Sequence, residues 1–123
     1  MDVFDRAGRV VGDAVAKARE RERVRLEDRL RLLDGLDESA RDVVRLFKHR
    51  PGYSWKMDSE QPRLAMVSRA LALADAELVA RVDVLAAIDP PYDGRTHVAE
   101  IEAAYRAIVE RLAVLRQETL AED

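Results

Sequence analysis

Six residues of one short stretch, Lys48, His49, Arg50, Tyr53, Trp55 and Lys56, are of types that could act through contact chemistry. Four basic side chains around two amphipathic aromatics can grip phosphates while a ring stacks on a base, which is how single-stranded nucleic acid is held. The same residues allow two other outcomes. Trp55 and Tyr53 could fold back over the end of a helical core and shield Phe47 and Met57. They could also anchor a protein partner, since Trp, Tyr and Arg dominate interface hot spots. Because a basic aromatic stretch is common by chance, the structural cap is expected first, the protein contact second and nucleic acid third.

Catalytic chemistry finds less support. His49 and His97 fall at the ends of different predicted helices, where they read as solvent-facing residues and not as a metal pair. The carboxylates Glu100 and Glu102 point to different sides of one predicted helix. No nucleophile elbow, phosphate-binding loop or dinucleotide fingerprint occurs. Without cysteine there is no thiolate ligand, thiol nucleophile or disulfide. The expectation is a protein that is not an enzyme and uses no cofactor and no metal.

The elements that would position the basic aromatic stretch are all helical. A long first helix is predicted over residues 1–33, with Phe4, Gly8, Val11, Val15, Leu26 and Leu33 along one meridian and Glu22 as the odd member. Val3, Val10, Ala14 and Val24 form a second apolar strip on that helix. Between Lys17 and Arg31 the arginines alternate with Glu20, Glu22, Glu27 and Asp28, the pattern of a solvated helix laced by ion pairs. Gly35 in "DGLDES" reads as a helix stop, and Asp37 or Ser39 as the cap of a short second helix over 39–49. The basic aromatic loop occupies 50–61.

A helical hairpin is predicted over 62–118. Its first arm runs to Ile88 with Leu64, Val67, Leu71, Ala74, Leu78, Leu85 and Ile88 inward and a second strip of Met66, Ala70, Leu73, Ala80 and Val84. The turn is "DPPYDGRT", with Thr96 as cap. The second arm carries Val98, Ile101, Tyr105, Ile108, Leu112 and Leu115 at alternating spacings of three and four, a coiled-coil seam. The predicted fold is therefore all-α: a single helical domain over 1–123, a bundle with one long antiparallel hairpin, one long helix and one short helix.

Composition fits this reading. Of 123 residues, 48% are apolar but only 5% aromatic, so the core is built from Ala, Val and Leu, as suits helix packed on helix. Charged residues make up 37% with a net charge of -3, which argues against disorder and against global attraction to nucleic acid. The opening residues carry charge throughout, unlike a secretory signal, and no stretch has the length of a membrane span. A cytoplasmic setting is expected. The pair Gly8 and Gly12, with Ala16, reads as small residues for close helix packing.

The stretch "FDRAGRVVGDAVAKA" resembles the amphipathic opening helix of the phage-shock and vesicle-inducing membrane-remodelling family, which would imply Phe4, Val11 and Val15 facing lipid. The resemblance covers about fifteen residues and ends at Lys17. Three predicted helices expose more apolar surface than one hairpin can bury, so a homo-oligomer is expected, with Val3, Val10, Val24, Met66 and Leu73 at its interface. The function expected is assembly or adaptation through protein association, with the chain itself and another protein as partners. The Ala, Arg and Val richness suggests a bacterial or phage particle component. The alternative is a nucleic-acid-binding accessory factor using the loop around Lys48 to Lys56.

Overall fold

The structure, a computed structural model, describes residues 3–49, 53–88 and 98–122, and their side chains from Arg9, Trp55 and Val98 onward. Among these residues there are five helices and no strand: α1 Val3–His49, α2 Tyr53–Asp58, α3 Glu60–Leu73, α4 Ala76–Ala86 and α5 Val98–Ala121. The chain is all-α. The expected turn "DPPYDGRT" with its Thr96 cap, and His97, lie outside the described residues.

The first correction concerns Gly35, which does not stop a helix. Leu33, Leu36, Ala40, Val43 and Phe47 are buried and recur every three or four residues, so one apolar face runs straight through "DGLDES". The predicted helices over 1–33 and 39–49 are thus one helix of 47 residues. Gly35 serves a different need. A Cβ built there would stand 3.0 Å from Arg69 Nε, and Arg69 Nη1 donates to the Gly35 carbonyl oxygen at 3.1 Å and also to Ser39 Oγ. The missing side chain lets a guanidinium from α3 lie on the backbone of α1.

The second correction is that the predicted helix over 62–88 is two helices. Ala74 adopts φ 55° and ψ 34°, the left-handed region that ends α3. Asp75 then caps α4, its carboxylate accepting from Leu78 N–H at 2.9 Å. This reversal resets the helical phase. On α3 the buried residues are Met66, Ala70 and Leu73, while Leu64 and Leu71 are exposed. On α4 they are Leu78, Val82 and Leu85.

The helices alternate in direction. Arg29 Nε donates to Thr119 Oγ1 at 3.2 Å, Asp34 pairs with Arg116 at 2.7 Å and Lys48 with Glu102 at 3.0 Å, so α1 and α5 run antiparallel. Arg63 near the start of α3 reaches the Ala86 carbonyl at the end of α4. Arg111 of α5 pairs with Asp75 at 2.8 Å, and Arg81 of α4 donates to the Ala107 carbonyl. The C-terminal half of α1 with α3, α4 and α5 forms an up-down-up-down four-helix bundle. The seam expected on α5 is in its core: Ile101, Ile108, Leu112 and Leu115 are buried, with Ala104 and Thr119 beside them.

The other half of α1 is outside the bundle. Every side chain from Arg9 to Arg25 is exposed, and Leu26 is the first buried one. At about 1.5 Å per residue, residues 3–25 form an arm of about 34 Å continuing the axis of a bundle half of about 36 Å.

Candidate functional site

Of the six residues expected to form a site, the structure brings two together and removes one. Trp55 is fully buried. Its indole N–H donates to the Val43 carbonyl oxygen at 2.9 Å, and its ring meets Phe47 edge-on with centroids 5.3 Å apart. The Arg63 guanidinium lies 5.6 Å from the ring centroid on another side, held by the Lys56 carbonyl and Ser59 Oγ. Helix α2 is the plug that carries this ring into the end of the bundle. Trp55 is a core residue and has no face free for a base. Met57, which it was expected to shield, is exposed. Lys56 is exposed on the outer side of the plug. Arg50 and the side chain of Tyr53 lie outside the described residues.

Lys48 and His49 take part in a different grouping. With Arg41, Asp42, Val44 and Arg45 of α1 and Glu102, Tyr105 and Arg106 of α5 they line an open groove of about 590 Å³. Val44 and the Tyr105 ring make its floor. Four permanent cations face two carboxylates, and much of the charge is internally paired. Arg45 pairs with Asp42 at 2.8 Å and Lys48 with Glu102, while Arg41 reaches Asp37 at 3.1 Å. Tyr105 O–H donates to Asp37 at 2.8 Å, and burial with this bond pushes its phenol up to about 12. Arg41, Arg45, Tyr105 and Arg106 were not among the expected site residues. The signal was present in the spacing of Arg41, Arg45 and Lys48, four and three apart on one helix face.

The five residues expected at an oligomer interface divide as well. Met66 and Leu73 are in the core of their own bundle, because the reversal at Ala74 turns that strip of α3 inward. They are not surface residues. Val10 and Val24 are on the arm and exposed at 69% and 43%, beside Val11 at 62% and Val15 at 44%. The side chain of Val3, like those of Phe4 and Gly8, is outside the described residues.

The arm carries its own ion pairs. Arg23 bonds Glu20 and approaches Glu27 at 3.7 Å, and Arg25 pairs with Glu22 at 2.6 Å and with Glu122, just past the end of α5, at 3.1 Å. These bonds hold Glu20 and Glu22 below the usual carboxylate range and raise both arginines. Among the described residues no helix is long and apolar enough to cross a membrane. No protein family, curated protein or solved structure matches this chain.

Proposed function

We propose that this is a non-enzymatic assembly or adaptor protein that works by association through the arm of α1, as an accessory factor or a component of a bacterial or phage particle. The observation that carries this reading is the exposure of Val10, Val11, Val15 and Val24 on a helix half whose side chains from Arg9 to Arg25 are all exposed. This half of the helix rests on propagation from the bundle and on its own ion pairs, and two apolar strips left wet forgo about 25 cal/mol per Å² of burial. A partner laid along the arm gains that burial. Self-association is the first form of this reading, and a second protein the other.

Nucleic acid as partner keeps one supporting observation, the gathering of Lys48 and His49 with three arginines in the α1–α5 groove. It loses stacking on Trp55, which is buried, so phosphate contact alone would have to hold the strand. One experiment addresses both readings. Light scattering on the purified chain, with its absorbance ratio, should give at least twice the 13.9 kDa chain mass and no nucleic acid. A 13.9 kDa particle at high concentration overturns self-association, and a nucleic-acid absorbance reverses the ranking.

A further inference from the structure

The charges of α1 are arranged in blocks. From Lys17 to Arg25 five cations stand against Glu20 and Glu22, and from Glu27 to Glu38 five carboxylates stand against Arg29 and Arg31. The first block is the inner part of the arm, and the second begins the bundle half. Arg31 pairs with Asp28 at 3.6 Å and Asp34 with Arg116 at 2.7 Å, yet these charges stay open to water at the outer edge of the bundle half. The side chains of Asp28, Arg31 and Asp34 remain 61%, 79% and 70% exposed.

Two such helices placed parallel would set like block against like block. Placed antiparallel, they set each basic block against an acidic one. The match extends to single positions about a two-fold axis between Arg25 and Leu26. Arg9 is then level with Asp42, Lys17 with Asp34, Glu20 with Arg31, and Arg23 with Asp28. Two levels, Asp13 with Glu38 and Arg6 with Arg45, bring like charges together. The helical period puts Glu20 and Arg31 close to one meridian, opposite the face of Leu33, Leu36 and Phe47 that α3 and α5 cover. Arm and bundle half also agree in length, so neither helix end would overhang.

We propose that two copies of this chain pair through α1, antiparallel, each arm lying along the outer face of the other copy's bundle half. The proposal rests on the association reading and gives it a partner, a direction and a register. Glu20 and Arg31 face each other twice, once on each side of the axis, and Val24 lies close to the axis. Since the contact is made largely of exposed charges, it weakens as salt screens them.

The chain has no cysteine, so single cysteines report geometry directly. Val24→Cys near the axis should join two copies with a short bis-maleimide. Ala16→Cys should not, because about 28 Å of helix separates its two levels in the antiparallel pair. Ala16→Cys cross-linking in a dimer would show parallel arms and overturn this proposal while leaving association intact. A wild type that scatters as a monomer overturns both. As a second readout, Glu20→Arg should weaken the dimer about tenfold, as should Arg31→Glu, and the two combined should return it to within about threefold of wild type. Failure of the combined variant to recover removes the register. The wild-type dimer should weaken by about tenfold between low and about 0.5 M salt, and an unchanged affinity would also count against the pairing.

Discussion

From Leu26 to His49, α1 is clamped between α3 and α5; from Arg9 to Arg25 the same helix presents every side chain to water. Both halves are helical, but for different reasons. The bundle half is helical because Leu33, Leu36, Ala40, Val43 and Phe47 bury a continuous face, and burial outweighs the glycine in its middle. The arm has no such face covered. It extends a helix already nucleated by the bundle, so each added residue costs only propagation, and pairs such as Arg25 with Glu22 contribute about 0.2–0.5 kcal/mol each. Shared regularity of backbone therefore hides a large difference in stability, which substitutions can expose.

The largest effect should come from the plug that closes the bundle half. Trp55→Ala removes a fully buried ring, its bond to Val43 and its contact with Phe47, and should lower stability by about 3–5 kcal/mol, read from the urea midpoint. A midpoint unchanged by Trp55→Ala would mean that α2 is not part of the core.

Next in size is the tie across the reversal. Arg111 makes two 2.8 Å bonds to Asp75, and Arg111→Ala should cost about 1.5–3 kcal/mol. These bonds, with the Leu78 amide, hold the Asp75 carboxyl down to about 2 against burial, below its value near 3.9 in an unfolded chain. The stability linked to this carboxylate is present above the unfolded value and is lost as pH falls toward about 2. Urea titrations from pH 5 to pH 2 should therefore show a shallower acid loss in Arg111→Ala than in the wild type. Equal slopes would remove Asp75 as the source.

The smallest and most direct comparison uses one glycine from each half. Gly12 on the arm has open space where a Cβ would go, so Gly12→Ala should raise helix stability by about 0.5–1 kcal/mol, read as helicity and slower amide exchange from 9 to 25. Gly35→Ala meets Arg69 and should show no such gain. Equal gains at the two sites would mean that Arg69 does not rest on Gly35.

Much of the bundle half was legible because periodicity reports burial. The α5 seam from Ile101 to Leu115 has a single phase and no interruption, and its buried residues follow it. The Trp55 cap was legible as one of three outcomes, since a lone large ring beside Phe47 has few places to go. What could not be read was which local signal would dominate. Gly35 and Asp37 look like a stop and a cap, yet the apolar face continues through them, and tertiary burial prevails over propensity. Ala74 carries no mark of a turn: alanine favours helix, and Asp75, which caps the helix that follows, is held by Arg111, distant in sequence. With no break visible in the sequence, the uninterrupted helical phase puts Met66 and Leu73 at the surface. The groove escaped for a similar reason, because Arg106 and Tyr105 meet Lys48 only once α1 and α5 are antiparallel.

The exposed arm also makes this fold a ruler. Since no core side chain lies between Arg9 and Arg25, removing or adding seven residues there would shift the tip by about 10 Å while turning it by only about 20°. Reach can thus vary in steps of two turns without disturbing Leu33, Trp55 or any other residue on which the bundle depends. A change of two or three residues would keep nearly the same reach but swing the valines to another side of the axis. Spacing and facing are set independently of folding in this half of the helix, and in the other half they are not.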